Sequence, residues 1–483
     1  MDESERGEWD TNKNEDNWGA VAAAEKPAEA SESPRTTQTV IMPQRPLVSP
    51  APAPQVYQSQ TGQQAIAVVR NAALTQPLSM GERDKLLQLM YSEEGFIGRY
   101  VRYFTPITQV PVEFHIASAI TAVSAAVGNR VSLEAWQRRA FPNIDVLEIA
   151  GSGVMHKTYS ISLMLDILRL AAPKAILPSD FSSESLLDIL AEQPSGLLAY
   201  SEFSELLQKM SGRDYMAGVK KLLTDLFDNP TKREFKYRGR QGTIENPAPT
   251  ILGATNLAWL EGSSNERDIV AGFLTRFLVW TGQDSGPPVP SKTSPNQQER
   301  DRLVDDLKLI SQAEGEADFS TLRVFIDEVI QRYEASVTAN GFDPTLEGMY
   351  ARIGIYTFKL SVIFMLSRTL GVKLDTAGNV VGTDLQIIDE DILRAAATLR
   401  YCHSQMESLP FAFTPAGQML RKVENFITKH PQGIKRGDIL RGVRDLNETG
   451  FESLVSTLLA KGFVETQRRA GGRDQFIYFP PPP

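Results

Sequence analysis

Eight consecutive residues, Gly151-Ser152-Gly153-Val154-Met155-His156-Lys157-Thr158, place two glycines, a lysine and a threonine directly after the apolar run Ile144 to Ala150. That spacing suits a polyphosphate. The backbone N–H groups of a glycine turn, and the start of a helix continuing through Leu170, would surround the phosphates. Lys157 would offset the β and γ charges, and Thr158 would hold Mg²⁺. His156 stands where the usual pattern has its final glycine, and its side chain would strain the loop if the backbone there needs a positive φ. A glycine turn before Lys-Thr also begins many ordinary helices, so the loop by itself decides nothing.

Three further features fall where a nucleotide site needs them. The run Leu197-Leu198-Ala199-Tyr200 ends in Ser201-Glu202, which makes Glu202 the candidate base for the attacking water. Ser201 stands where a second acid would support Mg²⁺, so the metal would be held weakly. The run Thr250 to Ala254 ends in Thr255-Asn256, an amide placed to orient water. Arg276, in Gly272-Phe273-Leu274-Thr275-Arg276-Phe277, would supply charge in cis or to a neighbouring subunit. Read singly, these residues are also a surface carboxylate, a turn-capping amide and a solvated arginine. On the helix reading of Met349 to Leu370, Arg352 and Lys359 either face the nucleotide or lie on a polar face.

Cationic residues gather in two places. Lys232, Arg233, Lys236, Arg238 and Arg240 alternate with Phe235 and Tyr237 in a predicted β-hairpin, suited to phosphate contact and base stacking, or else to packing its aromatics on the core. From Pro415 onward there are eleven basic and seven acidic residues. There the order is three helices (Pro415 to His430, Lys435 to Val443, Thr449 to Lys461) and two strands joined by Ala470-Gly471-Gly472, the order of a winged helix. Arg468, Arg469 and Arg473 lie on its wing, where they would meet DNA phosphates. The acids Asp445, Glu448 and Glu452 near the third helix also suit a protein-docking role.

The elements that must position these groups follow from composition and periodicity. Residues 1–78 form an acidic, proline-rich arm that cannot bury enough surface to fold alone: positions 1–40 carry ten acids and four bases, most of the net charge of −9. A helical N-terminal region (79–140) contains a helical stretch from Arg83 to Tyr103 and a helix from Val112 to Val127. The core (141–290) alternates short apolar runs (144–150, 175–177, 196–200, 250–254, 277–281) with amphipathic helices, an α/β pattern with a largely parallel sheet. A Gly/Pro/Ser-rich break at 284–295 leads into a helical lid (291–410), followed by the C-terminal module (411–483). One cysteine, Cys402, suits a reducing compartment, and neither a signal peptide nor a membrane span is expected, which points to the cytoplasm. His115, His156, His403 and His430 are too scattered to form a metal cluster.

Phe114-His115-Ile116-Ala117, Gly128-Asn129-Arg130-Val131, Pro142-Asn143, the Gly151 loop, Ser201-Glu202-Phe203, Gly253-Ala254-Thr255-Asn256 and the Gly272 to Phe277 stretch recur in order. Together they resemble an uncharacterised helicase-like P-loop family of phages, plasmids and integrated elements, often fused to primase domains. The resemblance spans roughly Met80 to Met406. It implies an AAA+/RecA-like P-loop NTPase core with helical flanking domains, ahead of the C-terminal winged helix read from element order, and a role in replication or mobilisation. ATP with Mg²⁺ would be the ligand. DNA, single- or double-stranded, would be a partner, with replication proteins and further copies of the chain, a hexameric ring included. The expected activity is an ATP-dependent DNA motor or remodelling ATPase, helicase-like. The alternative is a non-hydrolysing nucleotide- and DNA-binding scaffold that recruits partners through its winged helix.

Overall fold

A computed structural model describes residues 78–480 apart from 151–155, 212–217, 238, 258–259, 261–271, 283–294, 341–345, 377–379, 407–414, 461–462 and 471–472. Nearly all of the expected arm and of the Gly/Pro/Ser-rich break, with the glycines of the expected phosphate-binding loop and Gly471-Gly472, lie outside the described residues. Helices α1 (Met80–Tyr91), α2 (Phe96–Phe104) and α3 (Val112–Val127) come first. The expected stretch from Arg83 to Tyr103 is thus split in two. A capping box between Ser79 and Glu82 starts α1, and the turn after it buries Glu93 against the Ser367 hydroxyl. Alanine-rich α3 is buried on every side, as a central helix must be.

Strands β1 (Val131–Ala135) and β2 (Arg138–Ala140) form a hairpin, and β3 (Asp145–Ile149) leads to α4 (Lys157–Ala171). Next come α5 (Ser183–Glu192), β4 (Ser195–Tyr200), α6 (Phe203–Ser211), α7 (Val219–Phe227), the hairpin β5 (Lys232–Tyr237) and β6 (Arg240–Glu245), β7 (Ala248–Thr255) and β8 (Phe277–Thr281). Four of these strands make one parallel sheet in the order β4-β7-β3-β8. β3 and β7 are buried along their whole length, which is why both read as continuous apolar runs rather than alternating ones. A Cβ at Gly253 of β7 would lie 2.6 Å from the Phe203 ring, so glycine is what allows α6 to close over the sheet there. The expected strand 175–177 is reduced to a single bridge, Ile176 to Leu197, because Pro173 opens a short 3-10 turn instead.

Helices α8 (Gln297–Gln312), α9 (Arg323–Asn340), α10 (Glu347–Tyr350), α11 (Ile353–Thr369) and α12 (Asp389–Met406) follow, with the short strand β9 (Gly315–Glu316) and the hairpin β10 (Val372–Leu374) and β11 (Val380–Thr383). They share one hydrophobic core with the sheet, running from Leu86 to Met406. The helices assigned to a lid therefore cover the sheet directly. A second apolar cluster, including Leu420, Ile439, Phe451, Leu458 and Tyr478, holds together the C-terminal elements. These are α13 (Pro415–Thr428), β12 (Ile434–Lys435), α14 (Arg436–Gly442), α15 (Glu448–Ala460), β13 (Val464–Ala470) and β14 (Arg473–Phe479), with an antiparallel sheet ordered β12-β14-β13. Among the described residues, no helix is long and apolar enough to cross a membrane.

Candidate functional site

In a parallel sheet of this kind a ligand binds beyond the carboxyl ends of the strands, where neighbouring connections diverge. The chain leaves β3 through α4 for the far side of the sheet and later returns to place β7 and β8 on either side of β3. Three expected features meet at that carboxyl edge: β3 leads toward the glycine loop, β4 into Ser201-Glu202 and β7 into Asn256. Because β7 lies between β3 and β4, the loop strand and the acid-bearing strand stand about 10 Å apart, two strand spacings. That gap suits a terminal phosphate and a water.

Thr255, the last residue of β7, joins these ends. Its carbonyl accepts from the Ala150 N–H at 3.1 Å, at the entrance to the loop. Its hydroxyl is bonded to the Ser204 hydroxyl, two residues after Glu202. Glu202 and Asn256 are half-buried, while Ser201 is exposed. Lys157 is buried and Thr158 exposed on the first turn of α4, and Lys157 makes no ion pair with a described residue. Gly151, Ser152, Gly153, Val154 and Met155 lie outside the described residues. His156 is left-handed, with φ 46° and ψ 29°, so the positive φ at this position is present and a histidine adopts it. It supplies no side-chain cap to α4. The first N–H groups of that helix are therefore not taken by a capping side chain.

Behind the loop, Glu148 of β3 is fully buried. Its Oε1 accepts from the Ser160 hydroxyl at 3.3 Å and from Ser118 at 3.4 Å, and the two serines are 2.8 Å apart. Burial pushes the Glu148 carboxyl well above the usual carboxylate range, opposed by the two serine hydroxyls bonded to it. This set of bonds ties the strand entering the loop to the helix leaving it. Among the described residues, no group of three His, Cys, Asp or Glu side chains could hold a metal ion. A divalent cation here would be held chiefly by phosphate oxygens and water, with the Thr158 and Ser201 hydroxyls alongside, which suits Mg²⁺.

Arg276 lies elsewhere. It immediately precedes β8, whose first residue pairs with the first residue of β3, so it sits at the amino edge of the sheet. The carboxyl edge is about 17 Å away, the length of a five-residue strand. A role for Arg276 at its own chain's loop is thereby corrected. Its guanidinium is buried, 2.9 Å from Asp228 and 2.7 Å from the Gly272 carbonyl. Arg352 and Lys359 belong to this amino edge as well, and so do not face the loop of their own chain. Lys359 is fully buried, donating to Asn143 Oδ1 at 2.8 Å and the Phe227 carbonyl at 3.0 Å. Burial pushes its ammonium down to about 7, opposed by Asp145, and pushes the Asp145 carboxyl up to about 7, opposed by Lys359. Asn229 bridges Asn143, the Pro247 carbonyl and the Phe141 N–H, and Asn129 bridges Ser195 and Asn246. Of the stretches carrying the resemblance, Asn143 thus belongs to this buried network, while Asn129 links the half-buried Ser195 and Asn246. His115 is likewise internal, 2.9 Å from Thr108 and pushed down to about 3 by burial.

The β5–β6 hairpin forms where expected. The Phe235 and Tyr237 rings stack 5.9 Å apart, and an open cleft of about 630 Å³ is lined by Phe235, Lys236 and Gln241. Much of its positive charge is internally paired: Lys232 with Glu234 at 2.6 Å, Arg233 with Asp225 at 3.8 Å, and Arg240 with Asp188 at 2.7 Å. Lys236 is exposed and forms no ion pair with a described residue; Arg238 lies outside the described residues. In the C-terminal module Arg468 is exposed on β13, and at the hairpin end Arg469 pairs with Asp474 and Arg473 with Ala470 along the strand backbones. The third helix, α15, carries no basic residue, and its Glu448 and Glu452 pair with Arg436 at 3.2 and 2.8 Å. No protein-family model matches the chain, and no curated protein matches it either.

Proposed function

We propose that the chain is an ATP-dependent DNA motor or remodelling ATPase of the P-loop NTPase class, helicase-like, acting in the replication or mobilisation of a phage or other mobile element. The observation that carries the reading is the junction at Thr255, bonded on one side to Ala150 before the loop and on the other to Ser204 after Glu202. It supports a site in which Lys157 meets the β and γ phosphates, Asn256 orients a water and Glu202 takes its proton. Thr158 would hold the Mg²⁺ that arrives with ATP, with Ser201 nearby. In this reading Arg276 serves a neighbouring subunit of a homo-oligomer, such as a hexameric ring, and must leave Asp228 to do so. The C-terminal module acts as a winged helix that meets DNA through its wing, at Arg468, Arg469 and Arg473, rather than through its acidic third helix. Lys236 is the hairpin residue best placed for a phosphate contact.

The test is phosphate release by the purified full chain with and without single-stranded DNA. Wild type should turn over ATP faster with DNA, and Glu202→Gln should fall about 100-fold or more. Lys157→Ala should fall to background. Equal rates in all three proteins would overturn the enzymatic reading. One observation favours a second reading, the non-hydrolysing scaffold: exposed Ser201 offers a hydroxyl where a carboxylate would support the metal. Nucleotide-independent DNA binding without turnover is the result that reading expects.

A further inference from the structure

The β1–β2 hairpin closes through a two-residue turn, because Ala135 pairs directly with Arg138. Both turn residues are left-handed, Trp136 at φ 48° and Gln137 at φ 64°. Such turns ordinarily take Asn-Gly or another small pair, and a bulky aromatic in that conformation is strained. The ring is nevertheless held in place. Its benzo edge occupies a notch above Gly354, where a Cβ would lie 2.1 Å from Trp136, and it meets Phe358 edge to face at 5.4 Å and 76°. The residue as a whole remains 48% exposed. Arg138 and Arg139 follow at once; both are exposed, and neither forms an ion pair with a described residue. Arg323 braces the assembly from behind, donating to the Glu134 carbonyl at 2.9 Å and lying 5.6 Å over the Phe358 ring.

A fixed aromatic ring open to solvent, close in the chain to two exposed guanidiniums that carry no ion pair with a described residue, Arg139 lying 5.3 Å over the Phe141 ring, has the chemistry that recognises an unpaired base and its flanking phosphates. Duplex DNA offers the same phosphates, but its bases are already stacked on one another. We infer that this hairpin tip is a contact for single-stranded nucleic acid, with a base stacked on Trp136 and the backbone phosphates on Arg138 and Arg139. The inference deepens the DNA-binding part of the function proposed above and rests on that reading only for the class of partner. It is independent of nucleotide hydrolysis.

The experiment measures fluorescence anisotropy of a labelled 20-nucleotide oligothymidylate and a duplex of equal length, titrated with the full chain over a series of salt concentrations. Trp136→Ala should weaken the single strand about tenfold and leave the duplex unchanged, while Trp136→Phe keeps affinity within about threefold. The double variant Arg138→Gln/Arg139→Gln should lower the slope of log affinity against log salt by about 1.4. The Phe and Gln variants preserve the test should the alanine variant not fold. Single-strand binding equal to wild type, with an unchanged salt slope, in the Trp136→Phe, Trp136→Ala and arginine variants would overturn the inference. If Lys232→Gln/Lys236→Gln alone lost binding, the hairpin-tip inference would fall while the DNA reading stood. Failure of wild type to bind either probe would remove both. Equal loss of duplex and single strand in Trp136→Ala would contradict base stacking.

Discussion

The two edges of the parallel sheet use polar residues in opposite ways. At the carboxyl edge Glu202 and Asn256 are half-buried and Ser201, His156 and Thr158 are exposed, beside a helix start without a side-chain cap. At the amino edge Asp145, Lys359, Asn143 and Arg276 are buried, and each of the last three is bonded to named partners. At the carboxyl edge the exposed Ser201 and Thr158 hydroxyls and the uncapped helix start leave bonding capacity for a ligand. The amino edge consumes it inside the protein, joining α11 to β3 through Lys359 and Asn143. A motif residue therefore has to be placed on an edge before it is given a role in chemistry, and Arg276 shows why.

The comparison can be broken through pH. Lys359 is held at about 7 against an ordinary value near 10.5. Its folded value is depressed, so the native state binds fewer protons than the unfolded state between those values. The stability it contributes is full above about 10.5 and is lost as pH falls toward 7. Asp145 is held at about 7 against an ordinary value near 3.8, so its contribution is full below 3.8 and is lost as pH rises to 7. The pair thus places a dip in stability near neutrality. Chemical denaturation of wild type should show an alkaline rise on the order of 5 kcal/mol from this lysine, at ~1.4 kcal/mol per pH unit. Lys359→Met should lack that limb, and Asp145→Asn should lack the acid one. Identical pH profiles in wild type and both variants would mean that the amino edge is not the sealed, low-dielectric region described.

A smaller effect sharpens the other side. His156 is left-handed, so His156→Gly should relieve backbone strain and raise thermal stability by about 1 kcal/mol, net of the greater chain entropy of glycine. A loss of similar size would show that the imidazole has favourable contacts in the loop which outweigh the strain.

The parallel sheet was legible because buried strands leave uninterrupted apolar runs, and 277–281 was placed to the residue. The β5–β6 hairpin was legible from the alternation of Phe235 and Tyr237 with charged residues. The hairpin at 131–140 was not, because Trp136-Gln137 carries none of the small-residue signals of a tight turn. Lys359 read as facing a nucleotide or lying on a polar face, since nothing local reveals that Asn143 and the Phe227 carbonyl, far away in the chain, accept its hydrogen bonds. Arg276 could have been placed from strand direction alone: in a parallel sheet, a residue just before a strand lies on the edge opposite a loop that follows one. The linking role of Thr255 required the register, which no single stretch encodes.

The claim that the carboxyl edge binds the nucleotide and the amino edge does not is tested most directly by equilibrium binding of a non-hydrolysable ATP analogue with Mg²⁺. At a concentration where the chain is monomeric, Lys157→Ala should weaken binding about 30-fold, the loss of about 2 kcal/mol from one charge-assisted contact, while Arg276→Gln stays within about twofold of wild type. Affinity that falls with Arg276→Gln and is indifferent to Lys157→Ala would contradict the account.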